Sequence, residues 1–556
     1  MKKLGFSAAV AGALCVFGSG AHAADMTFPS KAPPLVSPAA TACGSLYDFF
    51  LTSCPLSWYG VTLYGTVDVG GSYMTHGTPF DKNFPTGAGY LLGAGGTNAT
   101  NRLSGFFPGP NGLSQSNIGF KVNEPLGAGV SFVGQFELAF DPYSLLLANA
   151  PQALQNGIGV AENQQALPYD SSRWGWLNTN QYVGFSSPVY GTLTFGRQNA
   201  LQTDGVSAYD PMGGSYAFSP IGFSGKTAGA GDTEEARWTT AIKYRENIGD
   251  FRLSAMVQPF GLWSNSGGFG TYNPNNGAVA GGLGGDIKHL GAGTLSLDAM
   301  GTFEKDAVNI STLFPGQTFA GGWPTSFPAG PLGSGLKATI SNQTAFMVLA
   351  KYSFGSYAAP APVVGKAVPP AQPSGIPLTL YAGYEWIQFA NPSDPQSVFS
   401  DDGFLFNPTN AAASTLVGSA NGTTIANNAF NAACGSGAGG CEKEYFQVMW
   451  TGAKYGITKD LDIIGAYYHF IQSAYVISAP GATCNTGAAT VTGSGPATNS
   501  RCGGWFDTYS VVLDWRFLPK WDTYIGVMYS AAFGGLANGD ITRNNLAATG
   551  GVRFRF

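Results

Sequence analysis

Seven cysteines and four histidines are the residues of this 556-residue chain that could do covalent or metal chemistry, and their spacing restricts both. Cys15 stands in an apolar N-terminal stretch. The other six fall in three close pairs, Cys43/Cys54, Cys434/Cys441 and Cys484/Cys502. An even count at short spacing in an exported chain fits three local disulfides, each closing one loop, although spacing alone does not fix the connectivity. A metal site has no support, because no C-x-x-C occurs and histidine is scarce. His22 lies in the leader, and His76, His289 and His469 stand in no recognisable nucleophile motif. Neither an enzymatic activity nor a cofactor is expected. A nucleic-acid partner has no support either, with a net charge of −5.

The first 23 residues read as a secretory signal peptide. Lys2 and Lys3 precede an apolar stretch over 4–17, and Ala21-His22-Ala23 fits the small-x-small cleavage rule, which starts the mature chain at Ala24. Leu14 before Cys15 argues against a lipoprotein signal. Beyond the leader no apolar run of about 18 residues occurs, so helical membrane spans are not expected. An exported chain is then soluble or a β-barrel. Composition favours the barrel. Charged residues make up 11% of the chain, against about 25% in a soluble domain, while glycine reaches 80 residues and aromatics 13%.

The elements that would position any side chain are strands. At the C-terminus Val552, Phe554 and Phe556 share one face and Arg553 and Arg555 the other. The same alternation sets Val61, Leu63, Val67 and Val69 against Thr62, Tyr64, Thr66 and Asp68. It sets Ile118, Phe120 and Val122 against Asn117, Lys121 and Asn123, and Trp238, Ile242 and Tyr244 against Arg237, Lys243 and Arg245. Tight turns such as Pro519-Lys520 alternate with long loops along the chain. That parity is how a transmembrane antiparallel β-barrel is built, with short periplasmic turns and long extracellular loops. The pattern predicts an all-β fold of about sixteen strands, an even number, near 58–75, 115–124, 128–140, 180–187, 190–198, 235–246, 250–258, 283–289, 294–304, 341–354, 378–390, 443–456, 461–475, 505–517, 521–533 and 544–556. Residues 24–57 then form an N-terminal extension on the periplasmic side, and 58–556 the barrel. The Pro-rich stretch 355–377 is a semi-rigid insertion where a short turn is due. Aromatics at segment ends (Trp58, Tyr59, Tyr143, Trp386, Phe389, Trp505, Phe506, Trp515, Phe517 and Trp521) fit two interfacial girdles.

Several stretches resemble the general porins of Gram-negative bacteria. They are Leu63-Tyr64-Gly65-Thr66-Val67-Asp68, Ser116-Asn117-Ile118-Gly119-Phe120-Lys121, Gln181-Tyr182-Val183-Gly184-Phe185-Ser186, Gly191-Thr192-Leu193-Thr194-Phe195-Gly196-Arg197-Gln198 and the terminal Phe556. The Cys43…Cys54 segment resembles porins of alphaproteobacteria. The resemblance implies a homotrimeric, water-filled barrel in the bacterial outer membrane whose third long loop, here 199–233, folds into the lumen. It implies an acidic side of the constriction at Asp210 and Asp204. The basic side falls at Arg197 and Arg237, with Lys121 and Arg245 contributing from inward faces. Asn117 stands where related porins often carry Arg, and Met212 where an acidic residue is common. Val552, Phe554 and Phe556 resemble the C-terminal signal that barrel-assembly machinery reads.

The function implied is passive diffusion of small hydrophilic solutes and ions, filtered by size and charge. The partners implied are outer-membrane lipid, two further copies of the chain, the assembly machinery and the solutes. A substrate-selective channel is one alternative. A surface structural or adhesive barrel acting through its loops is another, with the long loop 391–440 pinned by Cys434/Cys441 as its working part.

Overall fold

The computed structural model describes residues 43–75, 104–109, 111–143, 145, 179–221, 237–259, 277–305, 309–313, 336–339, 342–357, 373–390, 444–472, 476–477, 500–501, 504–534 and 544–556. Sixteen antiparallel strands close into a barrel. They are β1 (Val61–Met74), β2 (Asn117–Gly127), β3 (Val130–Ala139), β4 (Gln181–Ser187), β5 (Gly191–Asn199), β6 (Arg237–Ile248), β7 (Phe251–Gln258) and β8 (Gly277–Leu290). The second half holds β9 (Gly293–Lys305), β10 (Asn342–Ser353), β11 (Leu378–Ala390), β12 (Glu444–Gly456), β13 (Leu461–Gln472), β14 (Gly504–Leu518), β15 (Trp521–Gly534) and β16 (Asn544–Arg555). Each strand pairs with the next, and β16 returns to β1 in a register running from Thr66↔Arg555 to Met74↔Ala547. Closure leaves no edge strand to be satisfied by solvent, which is the condition for crossing a bilayer with sheet.

Two short strands extend β1. Gly105–Pro108 pairs with its far half, where β2 has left the register. Leu56–Trp58 folds back onto its start through a two-residue turn. That turn places Tyr59 at φ 42° and Gly60 at φ 72°, the left-handed pair that matches the twist of a hairpin. Cys43 and Cys54 are joined by a disulfide that encloses a helix, α1 (Leu46–Leu51), capped by Ser45 Oγ accepting from the Asp48 amide at 3.1 Å. Cys434, Cys441, Cys484 and Cys502 lie outside the described residues, as do the leader and residues 358–372 of the Pro-rich insertion. At the base of that insertion Ser356–Tyr357 pairs with Pro373–Ser374.

The two faces of the sheet differ as a lipid-facing barrel requires. On β14, Trp505, Tyr509, Val511, Leu513, Trp515 and Phe517 are exposed, while Phe506, Thr508, Ser510, Val512 and Asp514 between them are buried. On β15, Ile525, Val527 and Tyr529 are exposed, and Asp522, Tyr524, Met528 and Ser530 are buried. An apolar outer band with polar groups directed inward is the reverse of a soluble barrel.

Three expectations are corrected. The strand expected at 283–289 begins at Gly277, six residues earlier; its Gly/Ala-rich start carries no alternation to read, and both neighbours hold it in register. Trp238 does not share the outer face with Ile242 and Tyr244. A bulge, with Thr240 at φ 50°, shifts the β5–β6 register between Ala241 and Trp238, and Trp238 is wholly buried in the internal cluster. Phe506 is likewise internal rather than part of a girdle. In both cases the barrel interior offers an apolar partner, the loop described next.

A loop helix and its charged wall

The chain leaves β5 directly into a second helix, α2 (Leu201–Tyr209), and continues inside the barrel as far as Ile221. Leu201, Val206, Tyr209, Met212, Phe218 and Ile221 of this segment are buried. They share one apolar cluster with inward side chains of the wall, among them Met300, Leu349, Trp450, Tyr468, Tyr524 and Met528. Gly205 is what allows the approach: a Cβ there would stand 2.7 Å from Leu349 Cδ1 and 2.9 Å from Met300 Cε. The helix ends at Asp210, whose amide donates to the Val206 carbonyl at 2.8 Å. The last helical carbonyl, that of Tyr209, accepts from Trp450 Nε1 on β12 at 3.1 Å.

Asp210 organises the turn that follows. Its carboxylate accepts from the amides of Met212 (3.1 Å) and Gly214 (2.6 Å) and from the Tyr468 hydroxyl (2.5 Å). Burial pushes its pKa up, and these donors offset only part of that rise. Beyond the turn, Tyr216 donates to Gln115 Oε1 at 2.9 Å and the Ala217 amide to the Gly112 carbonyl at 3.0 Å. The segment is thus fixed to the wall at β12 and β13 and again at the segment before β2.

Asp204 meets basic groups directly. Its Oδ2 lies 2.5 Å from Lys243 Nζ and 2.5 Å from Arg245 Nη2, both on the inner face of β6. Lys243 also donates to the Asn199 carbonyl at 2.7 Å. Burial acts to raise the pKa of Asp204, but Arg245 and then Lys243 outweigh it and hold the carboxyl below its ordinary range.

Beside α2 lies a cavity of about 280 Å³, with Asp204, Tyr209, Arg245, Arg252, Asp298 and Lys351 among its lining. Arg252 reaches Asp286 at 2.7 Å and Asp298 at 3.1 Å. Tyr209 donates to Asp298, and Lys351 Nζ stands 5.0 Å from the Tyr209 ring centre. Three cations (Arg245, Arg252, Lys351) and three carboxylates (Asp204, Asp286, Asp298) line the cavity in balance, with the buried Lys243 reaching Asp204 from the wall. A second set lies inside the short-turn end of the barrel. Arg553 and Arg555 both pair with the buried Asp522, at 3.0 and 2.7 Å, and Arg516 pairs with Asp462 at 2.6 Å.

Of the six charges singled out in the sequence, the structure brings Asp204 and Arg245 together. Asp210 holds the loop turn instead. Arg197 lies opposite the β6 bulge, buried, with Nη1 donating to the Arg237 carbonyl at 3.5 Å; Arg237 is the first residue of β6, opposite Asn199. Lys121 lies against the Tyr64 ring, 4.4 Å from its centre, and Tyr64 donates to Glu137 at 2.6 Å. Sequence reasoning missed Lys243 as a site residue, together with Arg252, Asp286, Asp298 and Lys351. Lys243 and Arg245, two apart on one strand face, were a readable signal. The others depend on register: Arg252 and Asp298 both stand opposite Gly284, one on each side, and that glycine leaves the space between them open. Among the described residues no group of three or more His, Cys, Asp or Glu could hold a metal ion.

A family model described as Gram-negative porin matches residues 8–364, well over half of the sequence. The chain belongs to the Gram-negative porin family. The porin is therefore an outer-membrane channel protein, and its sixteen strands are its membrane crossing. Similar solved structures include an anion-selective porin from Comamonas acidovorans, at 13% identity and TM-score 0.46, covering 89% of this chain and 99% of that one. OmpT of Vibrio cholerae, folded in vitro, follows at 12% identity and TM-score 0.44, covering 90% and 99%. OmpF of Salmonella typhi in complex with daunomycin shows 11% identity and TM-score 0.41, covering 90% and 100%. No curated protein matches the sequence.

Proposed function

We propose that this porin passes small hydrophilic solutes and ions by passive diffusion, and that the loop 199–233, whose described part ends at Ile221 inside the barrel, filters them by size and charge. The observation that carries this reading is the seat of α2: a helix packed inside the barrel, its Asp204 paired with Lys243 and Arg245, beside a cavity edged by charges of both signs. A polar lumen removes the cost of carrying a hydrated solute through hydrocarbon, and fixed charges near a narrowing bias which ions pass. The filtering groups are then the ones the loop leaves facing the cavity, Arg245, Arg252, Lys351, Asp286 and Asp298, rather than an Asp210 opposed to Arg197 and Arg237. Lys121 is a further basic contributor. No step makes or breaks a covalent bond.

The proposal includes what family membership implies about biogenesis and assembly. The chain is exported by cleavage after Ala23, recognised by barrel-assembly machinery through Val552, Phe554 and Phe556, and assembled as a homotrimer. The test is planar-bilayer recording of the purified, folded protein. Stable stepwise conductance is expected, in triplets for a trimer. A folded protein that inserts and conducts nothing defeats the proposal.

A further inference from the structure

The segment that precedes the barrel does not hang in solution. Helix α1 lies on the outer face of the barrel at its short-turn end, over the last strand. Phe49 makes edge-on contacts with Phe554 and Phe556, ring centres 5.6 and 5.3 Å apart, and Phe50 packs on Phe554 at 5.5 Å. These are outward positions, since Arg553 and Arg555 between them turn into the lumen toward Asp522. The turn between β14 and β15 holds the helix from the other side. Lys520 Nζ donates to the carbonyls of Phe49 (2.9 Å) and Cys54 (2.8 Å), and Trp521 Nε1 to that of Phe50 (3.0 Å). The Cys43–Cys54 disulfide closes the loop that carries α1, and Leu56–Trp58 then ties that loop to β1. One short segment therefore touches β1, β15 and β16, on both sides of the seam where the barrel closes.

Covering Phe554 does not use up the apolar surface of the segment. Leu46 and Tyr47 are 76% and 72% exposed, and Trp58 and Tyr59, packed edge to face, are exposed as well. The lipid-facing band begins beside this segment, because Val552 and Ile525 are exposed on the same outer faces of β16 and β15 that carry Phe554 and Trp521 against α1. In an outer-membrane barrel the short turns mark the periplasmic side. Aromatic and aliphatic residues at that height meet the headgroup and upper acyl region of the periplasmic leaflet, where amphipathic aromatic rings concentrate.

We propose that residues 43–58 form a disulfide-closed clasp that lies in the periplasmic leaflet and locks the barrel seam, with phospholipid as the partner of Leu46, Tyr47, Trp58 and Tyr59. The clasp acts in the assembled state: it shields the terminal aromatic residues and joins the two ends of the strand order. It is independent of what the channel conducts.

Two measurements on the full, assembled protein test it. A benzophenone amino acid placed at Leu46, and separately at Tyr47, is irradiated in phosphatidylethanolamine–phosphatidylglycerol vesicles. A phospholipid adduct on the 43–58 peptide is expected. An adduct to a second copy of the chain, or recovery of unreacted benzophenone only, overturns the lipid assignment. Thermal unfolding of Phe49→Ala, followed by loss of the compact band on a gel, is expected at a lower midpoint than wild type, with conductance retained. If that variant does not fold, the double variant Cys43→Ser, Cys54→Ser, which opens the clasp and leaves the other cysteines untouched, supplies the same comparison. A midpoint unchanged by Phe49→Ala, or by the double variant in its place, overturns the seam lock.

Discussion

Asp204 of the loop helix stands 2.5 Å from the Lys243 ammonium of β6, and Arg245 approaches the same carboxylate oxygen at 2.5 Å. Acid and base that a pore of this kind could set across a gap are here in contact, so the pair acts first as a tether for α2. Charge-assisted hydrogen bonds of this type contribute about 1.5–3 kcal/mol each when their partners are partly desolvated. Asp204→Asn is expected to keep the barrel folded and to free the helix. The expected readout is noisier single-channel current with short-lived higher-conductance levels.

The same tether has a pH window. Arg245 and Lys243 depress the folded-state pKa of Asp204 below its unfolded value, which is about 3.9. A depressed carboxylate contributes stability that is present above the unfolded value and lost as pH falls through the folded one. Channel noise is therefore expected to stay flat from neutral pH down to about pH 4 and to rise only below it. A rise already near neutrality would place the tether elsewhere.

Trp450 anchors the end of α2 by donating to the Tyr209 carbonyl. Trp450→Phe keeps most of the packing and leaves that buried carbonyl without its donor, a loss of about 1–3 kcal/mol. Denaturant unfolding should register it only if loop and barrel unfold together. If they do not, proteolysis within the loop should become faster instead.

The lipid-facing assignment of β15 is tested at Ile525, which is 65% exposed. Arginine at a lipid-facing position costs about 2–4 kcal/mol at mid-bilayer, whereas a surface substitution on a soluble protein is usually neutral within about 0.5 kcal/mol. Ile525→Arg should therefore lower folding yield into vesicles measurably, and Ile525→Leu should not.

Arg252 offers a test of the charged cavity. Arg252→Gln removes one of the three cations that line it and leaves Asp286 and Asp298 less neutralised. The reversal potential in a salt gradient should move toward cation preference, most at low ionic strength, where screening is weakest. An unmoved potential would take this cavity off the ion path.

The strands were legible in the sequence because lipid and water impose opposite demands on successive residues. That held for 61–74 and 544–555, the two strands whose pairing closes the barrel. It failed wherever the interior was not water. Trp238 and Phe506 look like outer-face aromatics until the loop is known to pack inside, and one bulge at Thr240 reverses the parity that would place Trp238. Gly277 to Gly282 had no pattern to read, since a glycine-rich strand is held by its neighbours rather than by its own side chains. The charged wall was least accessible. Arg252, Asp298 and Lys351 sit on β7, β9 and β10, and nothing in their sequence spacing announces that register and Gly284 bring them together. Asp210 was visible as an acidic loop residue, but its role depends on Tyr468, more than 250 residues away and 2.5 Å distant.

Single-channel conductance of the wild-type protein, compared with a variant whose residues 202–220 are replaced by a short glycine–serine link, probes the inward loop as the filter. The barrel wall is unchanged in that variant, so a several-fold larger conductance with weaker size exclusion of neutral polymers is expected. Equal conductance and equal exclusion in the two proteins would mean that the loop does not narrow the path, and that the filter lies elsewhere.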